Sequence, residues 1–234
     1  MRRTQKILQA LGDPSRIRLL QALIEPSSVA ELASRTGLRQ NNISNHLARL
    51  RAGGLVGATR RGRIVEYRLA DATVAQLVES LSVLAGPPPA RERVLLMEAR
   101  TCYDHLAGRL GVALFDGLVA SGALRDDSDA SGSLRFGPHA VRIFGILGID
   151  LESVSANRRR LAFRCLDWTE RRPHVGGALG AALASAFLRR GLVRRRRGQR
   201  GLDVLPRAWL QIESMTDYPG SHSQTKDRQQ RTRF

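Results

Sequence analysis

Apolar residues recur at helical spacing in Ile17, Leu20, Leu23 and Ile24, behind Asp13-Pro14, a cap followed by proline at the first helical position. Pro26-Ser27-Ser28 breaks that helix and caps the next, whose short stripe is Val29, Leu32 and Ala33 and which Gly37 closes. Ile43, Leu47 and Leu50 mark a third helix, ended by Gly53-Gly54. Two β-prone runs then flank Arg60-Arg61-Gly62-Arg63: Leu55 to Thr59 and Ile64 to Leu69. They predict a hairpin. Helix, Gly-containing turn, helix and hairpin is the order of a winged helix-turn-helix. A helix leading in from residue 4 and another over 73–85, with Val74, Leu77, Leu81 and Leu84 on one side, flank this motif.

Gly86-Pro87-Pro88-Pro89 stiffens the chain and marks the best boundary, so residues 1–85 are expected to form one domain and 86–90 a linker. Residues 91 to 124 read as largely helical. Within 91–215 the sequence repeats itself. His105-Leu-Ala-Gly-Arg-Leu-Gly-Val-Ala-Leu114 corresponds to His174-Val-Gly-Gly-Ala-Leu-Gly-Ala-Ala-Leu183, and Gly122-Ala-Leu124 to Gly191-Leu-Val193. Each copy reads as a Gly/Ala-rich helix, a polar turn, a short strand (Leu134 to Phe136; Leu202 to Leu205) and another helix. The expected fold is mostly α with small β hairpins: a winged helix-turn-helix, then a C-terminal domain of two winged-helix-like repeats. Residues 216–234 are polar, basic and aperiodic, and are expected to be disordered.

Charge narrows the partners. The net charge is +17, and it is unevenly spread: residues 1–71 carry 13 basic and 5 acidic side chains and 154–215 carry 14 and 4, against 7 and 9 in 91–153. Two basic lobes around a near-neutral middle favour a polyanion, nucleic acid before an acidic membrane. No uncharged apolar run is long enough for a membrane span, and the N-terminus has no apolar signal core, so a cytoplasmic protein is expected. Two cysteines, Cys102 and Cys165, make no disulfide scaffold and are expected as free thiols. No phosphate-cradling Gly loop, nucleophile elbow or metalloprotease helix is present, which argues against an enzyme.

With Ile43, Leu47 and Leu50 turned to a core, Gln40, Asn41, Ser44 and Asn45 point outward from the third helix. Amides and hydroxyls of this kind meet base edges and phosphates in a major groove, and Arg39 and Arg49 suit phosphates. His46 has two readings: a DNA contact, or packing against the preceding helix or the hairpin. Arg60, Arg61 and Arg63 sit at the hairpin tip, where a wing meets the duplex backbone or minor groove. A second basic segment, Arg189-Arg190 with Arg194 to Arg197, follows Gly191-Leu-Val193 as Arg60 to Arg63 follow Gly54-Leu-Val56.

Residues 4–70 resemble an ArsR/SmtB-family transcriptional regulator. The resemblance rests on Leu11-Gly-Asp-Pro-Ser-Arg-Ile-Arg-Leu-Leu20, Val29-Ala-Glu-Leu32, Gln40-Asn-Asn-Ile-Ser-Asn-His-Leu47 and Leu50-Arg-Ala-Gly-Gly-Leu-Val56. It implies a homodimer formed by the flanking helices, a pseudo-palindromic double-stranded operator with half-sites about one turn apart, and repression released by a metal ion or other inducer. The family's familiar metal sites are missing: Val29 to Arg35 holds no cysteine, and Asp71 to Leu84 offers Asp71 and Glu79 but no histidine.

The remaining metal-like constellation lies in the repeat. Cys102-Tyr-Asp104-His105 precedes the first Gly/Ala-rich stretch, and Cys165-Leu-Asp167 the second, with His174 nine residues after Cys165. If the copies pack about a local two-fold axis, Cys102, His105, Cys165 and His174 converge into a tetrahedral ligand set for a zinc-like divalent metal, with Asp104 and Asp167 as alternates or outer partners. Two other readings stand beside it: a dithiol switch whose thiols the histidines activate, and two buried structural thiols with capping Asp and His. The function expected from these features is a sequence-specific DNA-binding repressor with an effector-sensing C-terminal domain. The alternative is a non-inducible architectural or accessory DNA-binding protein.

Overall fold

The structure is a computed structural model and describes residues 2–85, 96–127, 131–196 and 200–216. The expected linker over 86–90 and nearly all of the expected tail lie outside the described residues. The described elements fall into two compact units, the first holding everything up to residue 85 and the second built on the elements from residue 100 onward. No helix among the described residues is long and apolar enough to cross a membrane.

The first unit contains α1 (Arg2–Leu11), α2 (Pro14–Ala22), α3 (Val29–Thr36), α4 (Gln40–Ala52), the strands β1 (Val56–Arg61) and β2 (Ile64–Leu69), and α5 (Ala72–Ala85). Local chemistry sets its boundaries. Asp13 caps α2 by accepting from Ser15 N at 2.8 Å. Ser28 and Glu31 form a capping box on α3. Gly37 closes α3 at φ 71°, a left-handed conformation that glycine adopts freely. Arg16, 6% exposed, joins α1 to α2: its Nη2 donates to Gln9 O at 2.8 Å and its Nη1 to Asp13 at 3.1 Å. Leu19, Leu20, Leu32, Ile43, Leu47, Leu50 and Leu69 fill the core. β1 and β2 pair antiparallel from Val56↔Leu69 to Arg61↔Ile64, and Ser27 bridges to Tyr67, tying the α2–α3 turn to the hairpin.

The second unit departs from the expected helix over 91–124. A hairpin stands there, β3 (Arg100–Cys102) with β4 (His105–Ala107), and α6 (Gly108–Ala120) begins only after it. Three-residue strands are too short to imprint a period on the sequence. The chain continues with the hairpin β5 (Leu124–Asp126) and β6 (Leu134–Phe136), then α7 (Ala140–Ile146) and α8 (Leu151–Ser155). A second hairpin follows, β7 (Phe163–Leu166) with β8 (Pro173–Gly176), then α9 (Gly177–Arg189), the hairpin β9 (Val193–Arg195) and β10 (Leu202–Val204), and α10 (Pro206–Thr216). Each half therefore runs hairpin, helix, hairpin, helix, and its candidate ligands sit on strands of the leading hairpin.

Contacts in this unit recur in matched pairs. Leu202 N donates to Ala99 O at 2.9 Å, and Leu134 N to Ala162 O at 3.1 Å, so each leading hairpin is bonded to the other half's second hairpin. β4 packs on α9, and β8 packs on α6. Glycine permits the approach: a Cβ on Gly111 would lie 2.5 Å from Leu106 O and 3.5 Å from His174 Cβ, and one on Gly180 would lie 2.3 Å from Val175 O and 2.9 Å from His105 Cβ. Leu110, Leu114, Leu118, Phe144, Leu179, Leu183, Phe187 and Leu202 form one continuous core across both halves.

Candidate functional sites

In the first unit α4 presents a polar face. Ile43, Leu47 and Leu50 are buried, while Arg39, Gln40, Asn41, Ser44 and Asn45 are exposed. Ser44 Oγ donates to Gln40 O at 3.1 Å, within its own helix. His46 is partly buried, and its Nδ1 lies 3.8 Å from Asp13 Oδ2 at the start of α2, a neighbour that neither reading of this residue named. At the hairpin tip Arg60, Arg61 and Arg63 are exposed around Gly62 at φ 61°. Arg61 Nε lies 3.3 Å from Glu66 Oε2 across the strands. An exposed pair of this sort is worth little and exchanges readily for a phosphate.

In the second unit each leading hairpin sets one cysteine opposite one histidine: Cys102↔His105 on β3–β4 and Cys165↔His174 on β7–β8. The two corners meet. One ligand atom from each of Cys102, His105, Cys165 and His174 lies within 4.8 Å of all the others, and all four residues are buried. The thiols are not bridged, with Sγ atoms 3.8 Å apart, and the imidazole centroids are 5.1 Å apart. Phe163 and Ala107 complete the apolar surround of the two cysteines. Tyr103, in the β3–β4 turn, holds φ 60°, a conformation that non-glycine residues rarely adopt.

Asp104 and Asp167 flank the histidines on their far sides. His105 Nδ1 lies 3.3 Å from Asp104 Oδ1, and His174 Nδ1 lies 3.3 Å from Asp167 Oδ2. The outer rings of the cluster hold two arginines that motif reasoning missed. Arg159 clasps Asp104 with two nitrogens. Arg100, fully buried, donates through Nη2 to Asp167 at 3.0 Å and through Nη1 to Thr169 Oγ1 at 3.1 Å and Leu96 O at 3.2 Å, with its guanidinium 4.7 Å from the Trp168 ring centroid. Arg100 precedes Cys102 by two, so recognition of β3 as a strand would have placed both on one face. Asp167 also accepts from Thr169 N, Thr169 Oγ1 and Glu170 N, and from Gly108 N at 2.6 Å, where it caps the other half's helix.

These contacts set the protonation of the cluster. Burial opposes ionisation of Asp167, but His174, the Arg100 charge and the Thr169 hydroxyl overcome it and hold the carboxyl well below the usual carboxylate range. Burial likewise opposes ionisation of Asp104, and His105 and Arg159 reverse it. For His105 burial favours the neutral ring, yet Cys102 and Asp104 beside it push its pKa up to about 9. The Nε2 atoms of both histidines are buried and make no hydrogen bond to any described residue.

A model of a helix-turn-helix domain matches residues 11–56. The chain is 36% identical over 191 residues to the uncharacterized HTH-type transcriptional regulator YdfF of Bacillus subtilis, covering 78% of this chain and 83% of that one. It is 46% identical over 74 residues to the HTH-type transcriptional regulator CmtR of Mycobacterium tuberculosis, covering 31% of this chain and 63% of that one. A solved homodimeric winged helix-turn-helix DNA-binding domain from Mycobacterium bovis, a possible ArsR-family regulator, is 32% identical over 36% of this chain and 78% of that one, with a TM-score of 0.34. The YdfF match is longer than either unit, and so this chain, with both its winged helix and its second unit, belongs to the ArsR/SmtB family of HTH-type transcriptional regulators.

Proposed function

We propose that this DNA-binding regulator is a repressor whose second unit senses the effector. The protein binds a pseudo-palindromic operator as a homodimer, inserting α4 into the major groove through Gln40, Asn41, Ser44 and Asn45 and laying Arg60, Arg61 and Arg63 along the backbone. Arg39 meets phosphate. His46 supports the helix from behind through Asp13. The flanking helices supply apolar surface for pairing: Leu8 on α1 is 64% exposed and Leu84 on α5 is 83% exposed.

The observation that carries the sensing role is the convergence of Cys102, His105, Cys165 and His174 from two distant segments into one buried cluster. Soft thiolate and imidazole ligands suit a zinc-like divalent ion. The Sγ separation of 3.8 Å favours a second reading, an oxidisable thiol pair, since a disulfide needs only a short approach of the two sulfurs. Operator footprinting of the full-length protein, with and without divalent metals and with and without a thiol oxidant, tests the role. Release is expected with one class of effector, and Cys102→Ser should lose that release while keeping operator affinity within about twofold of the parent. Operator affinity unmoved by every metal and oxidant would mean an accessory DNA-binding protein with a structural second unit.

A further inference from the structure

The geometry points to more than a generic effector pocket. We propose that the cluster is a closed, electroneutral site for one divalent cation of the zinc group, held by Cys102 Sγ, Cys165 Sγ and the Nε2 atoms of His105 and His174, and that this ion clasps the two halves of the second unit together. The proposal rests on the reading that this cluster is the effector site.

Distance is the first argument. Zinc–sulfur bonds of about 2.3 Å at a tetrahedral angle put two sulfurs about 3.8 Å apart, and the two Sγ atoms stand 3.8 Å apart. The full spread of 4.8 Å exceeds a tetrahedral edge by only about 1 Å, within reach of small side-chain rotations. A two-iron cluster of the kind that takes two cysteines and two histidines binds them to different irons, which spreads sulfur and nitrogen ligands well beyond this range.

Tautomer and charge are the second and third. His105 Nδ1 meets Asp104 at 3.3 Å, which keeps a proton on that nitrogen, and His174 Nδ1 lies 3.3 Å from Asp167 without a hydrogen bond to it; a cation at each Nε2 displaces the proton there and leaves Nδ1–H turned to its carboxylate. Both Nε2 atoms are buried without a hydrogen-bond partner among the described residues, a costly state unless a cation takes their lone pairs. Two thiolates and a divalent ion sum to zero. Around them Asp104 is matched by Arg159 and Asp167 by Arg100, so the loaded site is neutral throughout. Neutrality matters because Arg100, Asp167 and His174 are fully out of water, where a net charge is expensive.

Placement is the fourth. Each half supplies one cysteine and one histidine, and each histidine lies against a glycine of the other half's helix, His105 at Gly180 and His174 at Gly111. An ion bound at all four therefore links segments more than sixty residues apart. Because all four ligands come from the protein, no position is left open for water or substrate, which marks the site as one for holding and releasing an ion.

The test uses full-length protein, stripped of metal under reductant and titrated with Co²⁺. One Co²⁺ per chain is expected, with the intense visible bands of a tetrahedral cobalt thiolate, displaced by Zn²⁺. Loading should also raise the unfolding temperature of the second unit. Asp104→Asn, at a half-exposed position, is expected to weaken Zn²⁺ binding by about 10- to 100-fold while keeping the tetrahedral spectrum. Weak octahedral bands, two ions per chain, or unchanged Zn²⁺ affinity in Asp104→Asn would overturn the proposal. The two readings fail separately: a tetrahedral Co²⁺ site with unaltered operator affinity supports the clasp and overturns metal sensing, whereas operator release by oxidant in a protein that binds no Co²⁺ overturns the clasp and keeps the sensor.

Discussion

In the first unit the polar side chains that define its chemistry stand outside: Gln40, Asn41, Ser44, Asn45 and the wing arginines project from a core made of leucine and isoleucine. In the second, Arg100, Thr101, His105, Asp167 and His174 are each 4% exposed or less. The difference separates two kinds of recognition. A surface built to meet a polyanion keeps its donors solvated until the partner arrives, so each residue contributes to contact and little to folding. A polar interior must be satisfied within itself, and there a lost partner is a stability event as well as a binding one.

That contrast predicts the largest single effect. Asp167→Ala would leave the Arg100 guanidinium buried with its charge unmatched and remove the cap from Gly108 N. Breaking a buried pair in this way costs about 3–5 kcal/mol, all of it in the second unit. Calorimetry of the full chain should show the second unit melting earlier while the first unit's transition and operator contacts in the footprint persist. Loss of both transitions together would show that the units fold as one cooperative body and would erase the comparison.

Next in size are the operator contacts. Replacing Gln40, Asn41 or Ser44 with Ala should cost about 1–3 kcal/mol where a base edge is read, relax preference at one operator position, and leave the melting curve within about 0.5 kcal/mol of the parent. Binding measured against operators permuted one base at a time separates the three. If all three variants bind as the parent does, α4 is not the reading helix.

The same contrast explains what was legible beforehand. α2, α3 and α4 were visible because proline, capping serine and closing glycine lie next to their apolar stripes, so each signal is local. The strands β3 and β4 carry three residues each and impose no periodicity, so 91–124 reads as helix across them. Cys102, His105, Cys165 and His174 were still grouped, because the repeat aligned them and any local two-fold axis brings equivalent corners together. Arg100 and Arg159 escaped for the opposite reason. Arg100 has no counterpart of like charge at the equivalent start of β7, where Phe163 stands, and an isolated arginine in a +17 chain carries no signal. His46 shows a third limit: the recognition-helix register placed it beside the exposed face, and only the packing of α4 on the start of α2 turned it toward Asp13.

A smaller effect belongs to the wing. Arg61 reaches outward from β1 and pairs with the half-buried Glu66. Arg61→Gln should weaken binding to all sequences alike and reduce the slope of log affinity against log salt by about one unit. A loss confined to the specific operator would assign Arg61 to base reading.

Contact between the second unit and DNA carries the smallest expected effect. Arg194 and Arg195 stand exposed on β9, in a hairpin placed after α9 as β1 and β2 follow α4. Arg197 lies outside the described residues. Several neighbours are already engaged within the unit: Arg189 donates to Ser185 Oγ, Arg190 to Ile146 O and Arg196 to Asp203 Oδ1 at 2.6 Å. Each phosphate contact contributes about 0.9 to the salt slope on duplex DNA, and partners within the unit compete with phosphate for these side chains. Changing Arg194 to Arg197 together to Gln should lower the slope by less than about one unit and leave operator preference unaltered. An unchanged slope would confine DNA contact to the first unit and make the division between an outward-reading surface and an inward-holding core complete. A lost preference among operators would instead give this hairpin a reading role of its own.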